Sequence, residues 1–229
     1  MRVLIGVQAR SSSTRLVGKS SMKLGDVAIV SRVMTGAYHA SKWFKDVDID
    51  IVMLIPFDDP LREEYLWKAE IFEGPEQDVL TRYYAAMDYY EADYVVRLTG
   101  DCAWIQPRVI AKALRACIKN DSDYCSNVLV RTYMEGLDVE VLSRPMMDWL
   151  ENSARSEHDR EHVTTFLLNA IKENTLPVDF KTHTIFDEYD NSAMKTSIDT
   201  PEEYRNSVRL YNALKAKKDE ALCYGSISN

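Results

Sequence analysis

Runs of apolar residues alternate, through the first half of the chain, with segments in which apolar residues recur every three or four positions. The apolar runs predict strands at residues 3–7, 49–55, 70–73 and 94–98. The segments with helical spacing predict helices at residues 28–42, 60–68, 78–91 and 107–119. This alternation is typical of βαβ units, so we expect an α/β fold with a mainly parallel sheet.

The pattern changes between residues 122 and 142, where short strands are predicted at 124–130 and 137–142 around a polar turn. Two helices are expected to follow. The second has apolar residues at helical spacing, namely Val163, Phe166, Leu167, Ala170 and Ile171. We therefore expect this middle region to extend beyond the sheet as a small subdomain.

A last strand is predicted at residues 195–198, directly before the sequence "DTPEEY". Thr200, Pro201 and Glu203 match the N-cap, N1 and N3 positions of a capping box, which predicts the start of a helix. The helix is expected to continue to about residue 217 and to be followed by a frayed tail.

Composition limits the classes of function. The 229 residues fit a single domain, 1–229, and the net charge of −8 argues against a broad nucleic-acid surface. No apolar run approaches the roughly 18 residues of a membrane span, and no signal for export is evident. The cysteines show no metal-ligand spacing, so we expect reduced thiols in a cytosolic protein: Cys102, Cys117, Cys125 and Cys223.

The loop after the first strand, "QARSSSTRLVGKSSMK", is rich in cations and hydroxyl groups. Ligands of open α/β sheets gather where the carboxyl ends of strands meet the following helices. At such a place Arg10, Arg15 and Lys19 would bind a polyphosphate, with hydroxyl and backbone N–H groups near Ser11 to Thr14 as further donors. A solvated basic loop is the alternative. The loop matches neither a P-loop nor a dinucleotide fingerprint.

Two aspartates follow predicted strands and are candidate magnesium ligands. Asp101 stands after Gly100, which allows close backbone approach, and Asp199 precedes the last helix. Mg²⁺ is commonly held by one or two carboxylates together with substrate phosphates. Ordinary roles in a turn and at a helix start are the alternative for each residue alone.

Two further segments suggest an acceptor pocket. In "MEGLDVEVLSR", Asp138 and Glu140 alternate with apolar residues, so their side chains are expected on one strand face, either in solvent or beside a pocket. In "EHDREHVTTF", Arg160 falls in the apolar sector of the helix and His162 at its margin. An ion-pair cluster at the surface and a binding site for an acceptor anion are both compatible with that position.

The ordered set "ARSSSTRLVGK", "DVLTRYY", "RLTGDCAWI", "GLDVEV", "REHVT" and "SIDTPEEY" resembles the cytidylyltransferases that make CMP-activated acidic sugars. The resemblance is strongest to the spore-coat polysaccharide type, with CMP-Kdo and CMP-sialate synthetases as broader relatives. It covers about residues 3–214. Ala103 and Trp104 depart from the proline and leucine that are usual after "GDC", so the loop beside the metal is expected to differ in shape.

This resemblance implies a Rossmann-like, GT-A-like nucleotidyltransferase fold, a three-layer sandwich, and a Mg²⁺-dependent transfer of CMP from CTP with release of pyrophosphate. Arg10, Arg15 and Lys19 would hold the triphosphate, and Asp101 and Asp199 the metal. The wider nucleotide site would include Ala9, Ser11, Ser12, Ser13 and Gly100. The segment 128–175 would be an insertion that forms a homodimer contact and part of the sugar pocket, near Asp138, Glu140, Arg160 and His162.

Three alternatives stay open at the level of the sequence. The acceptor could be a phosphonate or a phosphorylated small molecule instead of an acidic sugar. A nucleotide-binding dimer without catalysis is a second alternative, although it need not retain both aspartates and all three cations. A glycosyltransferase is the third, but "TGDCA" does not match the expected D-x-D motif.

Overall fold

The computed structural model describes the backbone of residues 1–225 and the side chains of residues 1–217. Seven strands form the central sheet: β1 (Arg2–Gln8), β4 (Asp48–Pro56), β5 (Glu70–Gly74), β6 (Tyr94–Thr99), β7 (Tyr124–Ser126), β8 (Glu140–Ser143) and β9 (Thr182–Thr184). Two short strands, β2 (Lys23–Leu24) and β3 (Val27–Ala28), pair separately. The helices are α1 (Ile29–Ser41), α2 (Leu61–Tyr65), α3 (Val79–Tyr89), α4 (Pro107–Lys119), α5 (Arg144–Ser153), α6 (Glu157–His162), α7 (Thr165–Lys172) and α8 (Pro201–Gly225).

The central sheet has the order β5-β4-β1-β6-β8-β7-β9, and the expectation of an α/β fold with a mainly parallel sheet is confirmed. β1 pairs in parallel with β4 and with β6, whereas β8 runs antiparallel to both β6 and β7. The chain proceeds outward from β1 in one direction through β4 and β5, and in the other from β6 onward. A crevice therefore forms at the carboxyl ends of β1 and β6, where such sheets bind ligands.

Helices cover both faces of the sheet and bury two clusters of apolar side chains. On one face, Val30 and Val33 of α1 and Ile110 of α4 pack against Val3, Ile5 and Val7 of β1. On the other face, α3, α5 and α7 pack against alternate residues such as Leu4 and Val95. Strand residues thus alternate between the two clusters, which makes the sheet the middle of three layers.

The strand predicted at residues 195–198 is absent, and this expectation was wrong. Its backbone makes one bridge, between Glu135 and Lys195, and then bonds elsewhere. The N–H of Thr196 donates to Glu135 and that of Ile198 donates to Asp101. The N–H groups of Thr196 and Ile198 thus bond to different segments, so no continuous ladder forms, and the segment still enters the crevice.

The middle region differs from its prediction in two respects. β8 lies between β6 and β7, so the strands of this region belong to the central sheet, and the small subdomain at residues 128–175 stays a prediction. Three helices follow instead of two, because Val163 has a φ of 60° and separates α6 from α7. The strand predicted at 124–130 ends at Ser126, whose hydroxyl accepts from the N–H groups of Val128 and Leu129. Such local bonds compete with a strand ladder.

The last helix continues beyond residue 217 to Gly225; the rest of the expected frayed tail lies outside the described residues, as does the side chain of Cys223. Cys102, Cys117 and Cys125 are buried and form no disulfide. None of the described helices combines the length and apolar content that a membrane crossing requires.

Candidate active site

The basic loop after β1 is folded back over the carboxyl ends of the strands. The N–H of Gly18, which has a φ of 67°, donates to the carbonyl of Ser11, and the hydroxyl of Ser20 donates to the carbonyl of Arg10. The N–H of Ser11 donates to the buried carboxylate of Asp59 at 2.9 Å. These hydrogen bonds fix the backbone of the loop. Its cationic side chains are therefore not needed for that purpose and line the crevice.

Lys19 brings the two predicted metal ligands together. Its Nζ donates to Asp101 Oδ2 at 2.8 Å and to Asp199 Oδ1 at 2.9 Å. Burial alone would raise the pKa of Asp101, but the charge and hydrogen bond of Lys19 lower it below its ordinary value. Burial likewise opposes the charge of Lys19, and the two carboxylates outweigh it and raise the lysine pKa. Lys19 and Asp101 are therefore both charged at neutral pH.

Asp199 is positioned by the predicted capping box at the start of α8. Glu203 accepts from the N–H groups of Asp199 and Thr200 at 2.8 and 2.9 Å, and the N–H of Glu203 donates to the Thr200 hydroxyl at 3.3 Å. Arg15 reaches the same aspartate, with 3.0 Å between its Nη2 and Asp199 Oδ1. The cap thus aims the Asp199 carboxylate at the loop.

Asp101 is positioned by Gly100. A Cβ atom at residue 100 would lie 2.8 Å from the carbonyl oxygen of Gln8 and 3.2 Å from the Cβ of Ala9. The N–H of Gly100 donates to that same carbonyl at 2.8 Å. The end of β6 therefore lies against β1 at a separation that only glycine permits.

These groups line one cavity of about 270 Å³. Of the residues predicted to bind nucleotide, the cavity is lined by Ala9, Arg10, Arg15, Lys19 and Gly100, together with Asp101 and Asp199. Its lining contains five cationic side chains and three carboxylates, namely Arg10, Arg15, Lys19, Arg82, Arg97, Asp101, Glu161 and Asp199. An excess of cations at such a site favours an anionic ligand.

The three serines of the loop do not line the cavity. The hydroxyl of Ser12 donates to Glu76, Ser11 bonds to Asp59 through its backbone, and Ser13 is buried. Their predicted contact with nucleotide remains a prediction, and the contacts seen here tie the loop to its surroundings.

The residues predicted near the acceptor are divided. Asp138 pairs with Arg131 at 2.6 Å, and Glu140 is buried in contact with Arg97 and Tyr124. Neither lines the cavity.

Arg160 belongs to an ion-pair cluster: it donates to Asp78 at 2.6 Å and to Glu151 at 2.9 Å, which is the alternative left open by the sequence. His162 does line the cavity. Burial, the neighbouring His158 and the positive charges of Arg97 and Arg10 lower its pKa, so it is neutral at pH 7.

Several cavity residues were missed: Gln8, Ser20, Val79, Arg82, Arg97, Thr99 and Glu161. Arg82 and Arg97 stand within "DVLTRYY" and "RLTGDCAWI", so a signal was present in motifs already noted. Both are charged residues within a mainly apolar strand or helix, and a charge in such a position indicates a functional role. Glu161, which pairs with Arg10 at 3.3 Å, carries no such signal among its charged neighbours.

The carboxylates fit a divalent ion of the magnesium type. Asp101 and Asp199 converge within 3 Å of a single ammonium group, and both lie in the cavity that collects the cations. Among the described residues no group of three or more His, Cys, Asp and Glu side chains forms a metal cage. A hard cation held by two carboxylates and completed by phosphate oxygens needs no cage.

Comparison with known proteins relates the whole chain to one family. A sequence model of the family described as cytidylyltransferase matches residues 4–226. An uncharacterised protein of Methanocaldococcus jannaschii is 31% identical over 169 residues, which is 73% of this chain and 67% of that protein. The spore coat polysaccharide biosynthesis protein SpsF of Bacillus subtilis is 24% identical over 223 residues, covering 95% of this chain and 89% of SpsF.

A solved structure shows the same architecture. The structure of a cytidylyltransferase from Leptospira borgpetersenii serovar Hardjo-bovis superimposes with a TM-score of 0.78 at 26% identity. The match covers 89% of this chain and 84% of that one. The expected nucleotidyltransferase fold is thereby confirmed along most of the chain.

Proposed function

Since the chain belongs to the cytidylyltransferase family, we propose that it transfers CMP from CTP to an acidic sugar, releases pyrophosphate and uses Mg²⁺. The observation that carries the proposal is the convergence of Lys19, Asp101 and Asp199 in a cavity rich in cations. The family membership makes the protein a nucleotidyltransferase; the acidic acceptor and the identity of the ion are the proposed part.

Such a reaction is an in-line attack of an acceptor oxygen on the α-phosphorus, and it depends on positioning and on charge neutralisation. In this proposal Arg10, Arg15 and Lys19 would bind the β- and γ-phosphates and offset the charge of the departing pyrophosphate. Asp101 and Asp199 would hold the ion. When bound, Mg²⁺ polarises a phosphoryl oxygen and orients the triphosphate.

The pairing of Lys19 with the aspartates has a direct use in this scheme. Two carboxylates close together repel each other, and the Lys19 ammonium group offsets this repulsion before nucleotide binds. Lys19 has three N–H donors, and the two aspartates accept two of them. The remaining donor is available to a phosphate oxygen without any loss of the existing contacts.

An acidic sugar is supported by two observations. The relative from Bacillus subtilis bears a name that places it in polysaccharide biosynthesis, and the motif set resembles enzymes that act on sugar acids. The acceptor roles of Asp138, Glu140, Arg160 and His162 remain predictions, and of the four His162 is the one that lines the cavity.

The test is an assay of pyrophosphate release with each of the four nucleoside triphosphates, Mg²⁺, and a panel of 2-keto-3-deoxy sugar acids, phosphonates and sugar phosphates. Release that requires CTP and a sugar acid is the expected result. Release with CTP and a phosphonate or a sugar phosphate, but with no sugar acid, would show that the acceptor belongs to another class. Nucleotide binding without turnover on any acceptor would favour a binding module.

We further propose a homodimer that uses the 128–175 segment and a cytosolic location. Light scattering coupled to size-exclusion chromatography measures the mass directly. A mass of one chain at micromolar concentration would contradict the dimer.

A further inference from the structure

Arg97 lies on the floor of the cavity and has no part in the phosphate or metal groups described above. It stands on β6, four residues before Asp101, and lines the same cavity. Only 13% of its side chain is exposed. A charged group buried in a sheet requires hydrogen-bond or ion-pair partners, and the partners of Arg97 indicate its role.

One side of the Arg97 guanidinium is held from behind by a buried acid. Its Nη1 donates to Glu140, which lies directly opposite Arg97 in the ladder between β6 and β8. The hydroxyl of Tyr124 donates to the other oxygen of Glu140 at 2.6 Å. Glu140 and Tyr124 are almost completely buried, so Glu140 orients the arginine from behind.

The other side of the guanidinium is not used by the protein. The Nε–H of Arg97 is buried and has no acceptor among the described residues. A buried donor without an acceptor is destabilising, and each such group in a folded protein needs an explanation. A ligand with an anionic oxygen in the cavity would supply such an acceptor.

Gln8 offers the complementary group on the neighbouring strand. Its Oε1 is also buried without a donor, and Gln8 lines the same cavity. Gly6 is the residue of β1 opposite Arg97, and Gln8 is two positions further, so Gln8 and Arg97 face the same side of the sheet. The cavity is thus lined by a donor without an acceptor, on Arg97, and an acceptor without a donor, on Gln8, which lie on the same face of neighbouring strands.

A carboxylate with a hydroxyl group on the adjacent carbon satisfies both. We propose that Arg97, positioned by Glu140 and Tyr124, binds the acceptor's carboxylate while Gln8 accepts from the neighbouring hydroxyl. The acceptor is then a 2-hydroxy or cyclic 2-keto acid, and Arg97 sets this specificity. The inference rests on the proposed transfer to an acidic sugar and names the residues that recognise the acid.

The test uses small probes, so that it does not require the natural acceptor. Saturation-transfer NMR with 2-hydroxyisobutyrate is compared with 2-hydroxyisobutyramide and with methyl phosphate, with CTP and Mg²⁺ present to fill the phosphate side. Arg97→Lys keeps the charge for Glu140 and removes the Nε–H and the planar fork. Arg62→Lys, at the exposed pair with Glu73, is the matched control.

We expect binding of 2-hydroxyisobutyrate to the wild type and to Arg62→Lys, about tenfold weaker binding to Arg97→Lys, and no binding of the amide. With any sugar acid that is turned over, Arg97→Lys should raise the acceptor KM and leave the CTP KM unchanged. Equal binding to Arg97→Lys, equal binding of the amide or of methyl phosphate, or no binding to the wild type overturns the proposal.

The two proposals fail separately. Absence of pyrophosphate release with every sugar acid would refute the proposed function, whatever the probes show. Turnover of a sugar acid with an unchanged acceptor KM in Arg97→Lys would leave that function standing and refute the role of Arg97. Thermal unfolding of Arg97→Lys, compared with the wild type, reports whether the variant is folded.

Discussion

Lys19 is the residue on which the geometry of the site depends most. Its single ammonium group donates to carboxylates that arrive from β6 and from the start of α8, and those three residues are remote in sequence. The ion pair is largely buried, with side-chain exposed fractions of 14% for Lys19 and 22% for Asp101. A buried charge that loses its partner is strongly destabilising, so the three side chains fix one another's positions.

Replacement of either aspartate should abolish catalysis and leave the protein folded. Asp101→Asn and Asp199→Asn each remove a charge from the ion site, and we expect CTP turnover to fall by at least about a hundredfold, since even changes behind metal ligands cost 10–100-fold. Pyrophosphate release measures turnover, and circular dichroism measures folding. Asp121→Asn, at an exposed pair with Lys181, is the matched control. Mg²⁺-dependent activity in the double mutant would refute the assignment.

At this scale the sequence identified the charged groups that follow strands, because ligands of open α/β sheets gather at the carboxyl ends of the strands. Arg10, Arg15, Lys19, Asp101 and Asp199 all line the cavity. It did not identify how acids inside elements are used. Glu140 alternates with apolar residues as a solvent-facing residue would, and only the ladder partner Arg97 shows that it is buried.

At the scale of elements, the close contact between β1 and β6 sets where the metal ligands stand. Gly100→Ala would place a methyl group 2.8 Å from the Gln8 carbonyl and push Asp101 away from Lys19. We expect kcat to fall by up to about a hundredfold, because small misplacements near the reacting atoms are that costly. Steady-state kinetics measures this, with thermal unfolding to show that the fold persists. A wild-type kcat would contradict the argument.

The start of α8 also gives a prediction for stability. Burial alone would raise the pKa of Glu203, but Lys195 and the N–H groups of Asp199 and Thr200 lower it below its ordinary value of 4.5. The charged carboxylate therefore stabilises the fold above pH 4.5, and this contribution is lost as the pH falls through the lowered pKa. Glu203→Ala should reduce the free energy of unfolding at pH 7 by about 1 kcal/mol.

Urea denaturation at pH 7 and at pH 4 checks both the size and the sign of this effect. The deficit of Glu203→Ala relative to the wild type should shrink at the lower pH. Glu203→Gln retains a carbonyl oxygen for the backbone and should lose less, whereas Glu202→Ala, at an exposed neighbour, should lose little. A deficit that grows as the pH falls would show that the carboxylate does not act as the cap.

Strands and helices were predicted correctly where the local pattern of apolar residues determines them. They were missed where tertiary contacts determine them. In the first half of the chain, the four predicted strands correspond to β1, β4, β5 and β6, and the four predicted helices to α1, α2, α3 and α4, each within a few residues. β9 was missed because three polar residues at the end of the sheet show no apolar alternation, and they form a strand only by pairing with β7. The segment 195–198 looks like a strand and is not one, because its N–H groups bond to separate segments.

At the scale of the whole molecule, the distribution of charge matters more than its total. The chain has a net charge of −8, yet the lining of its cavity has more cations than carboxylates. An acidic exterior disfavours extended polyanions such as nucleic acids, while the concentrated cations of the cavity attract a compact one. The sequence already indicates this uneven distribution of charge, because Arg10, Arg15 and Lys19 are concentrated in the loop after the first strand.

The central claim is that Asp101 and Asp199, joined by Lys19, hold a divalent ion against the triphosphate of CTP. Crystals grown with CTP and Mn²⁺, measured at the manganese absorption edge, locate that ion directly. The account predicts one anomalous peak at roughly 2.0–2.2 Å from a carboxylate oxygen of each aspartate, the distance expected for a hard divalent ion, with phosphate oxygens completing its shell. A peak away from both carboxylates, with CTP bound elsewhere, would contradict it.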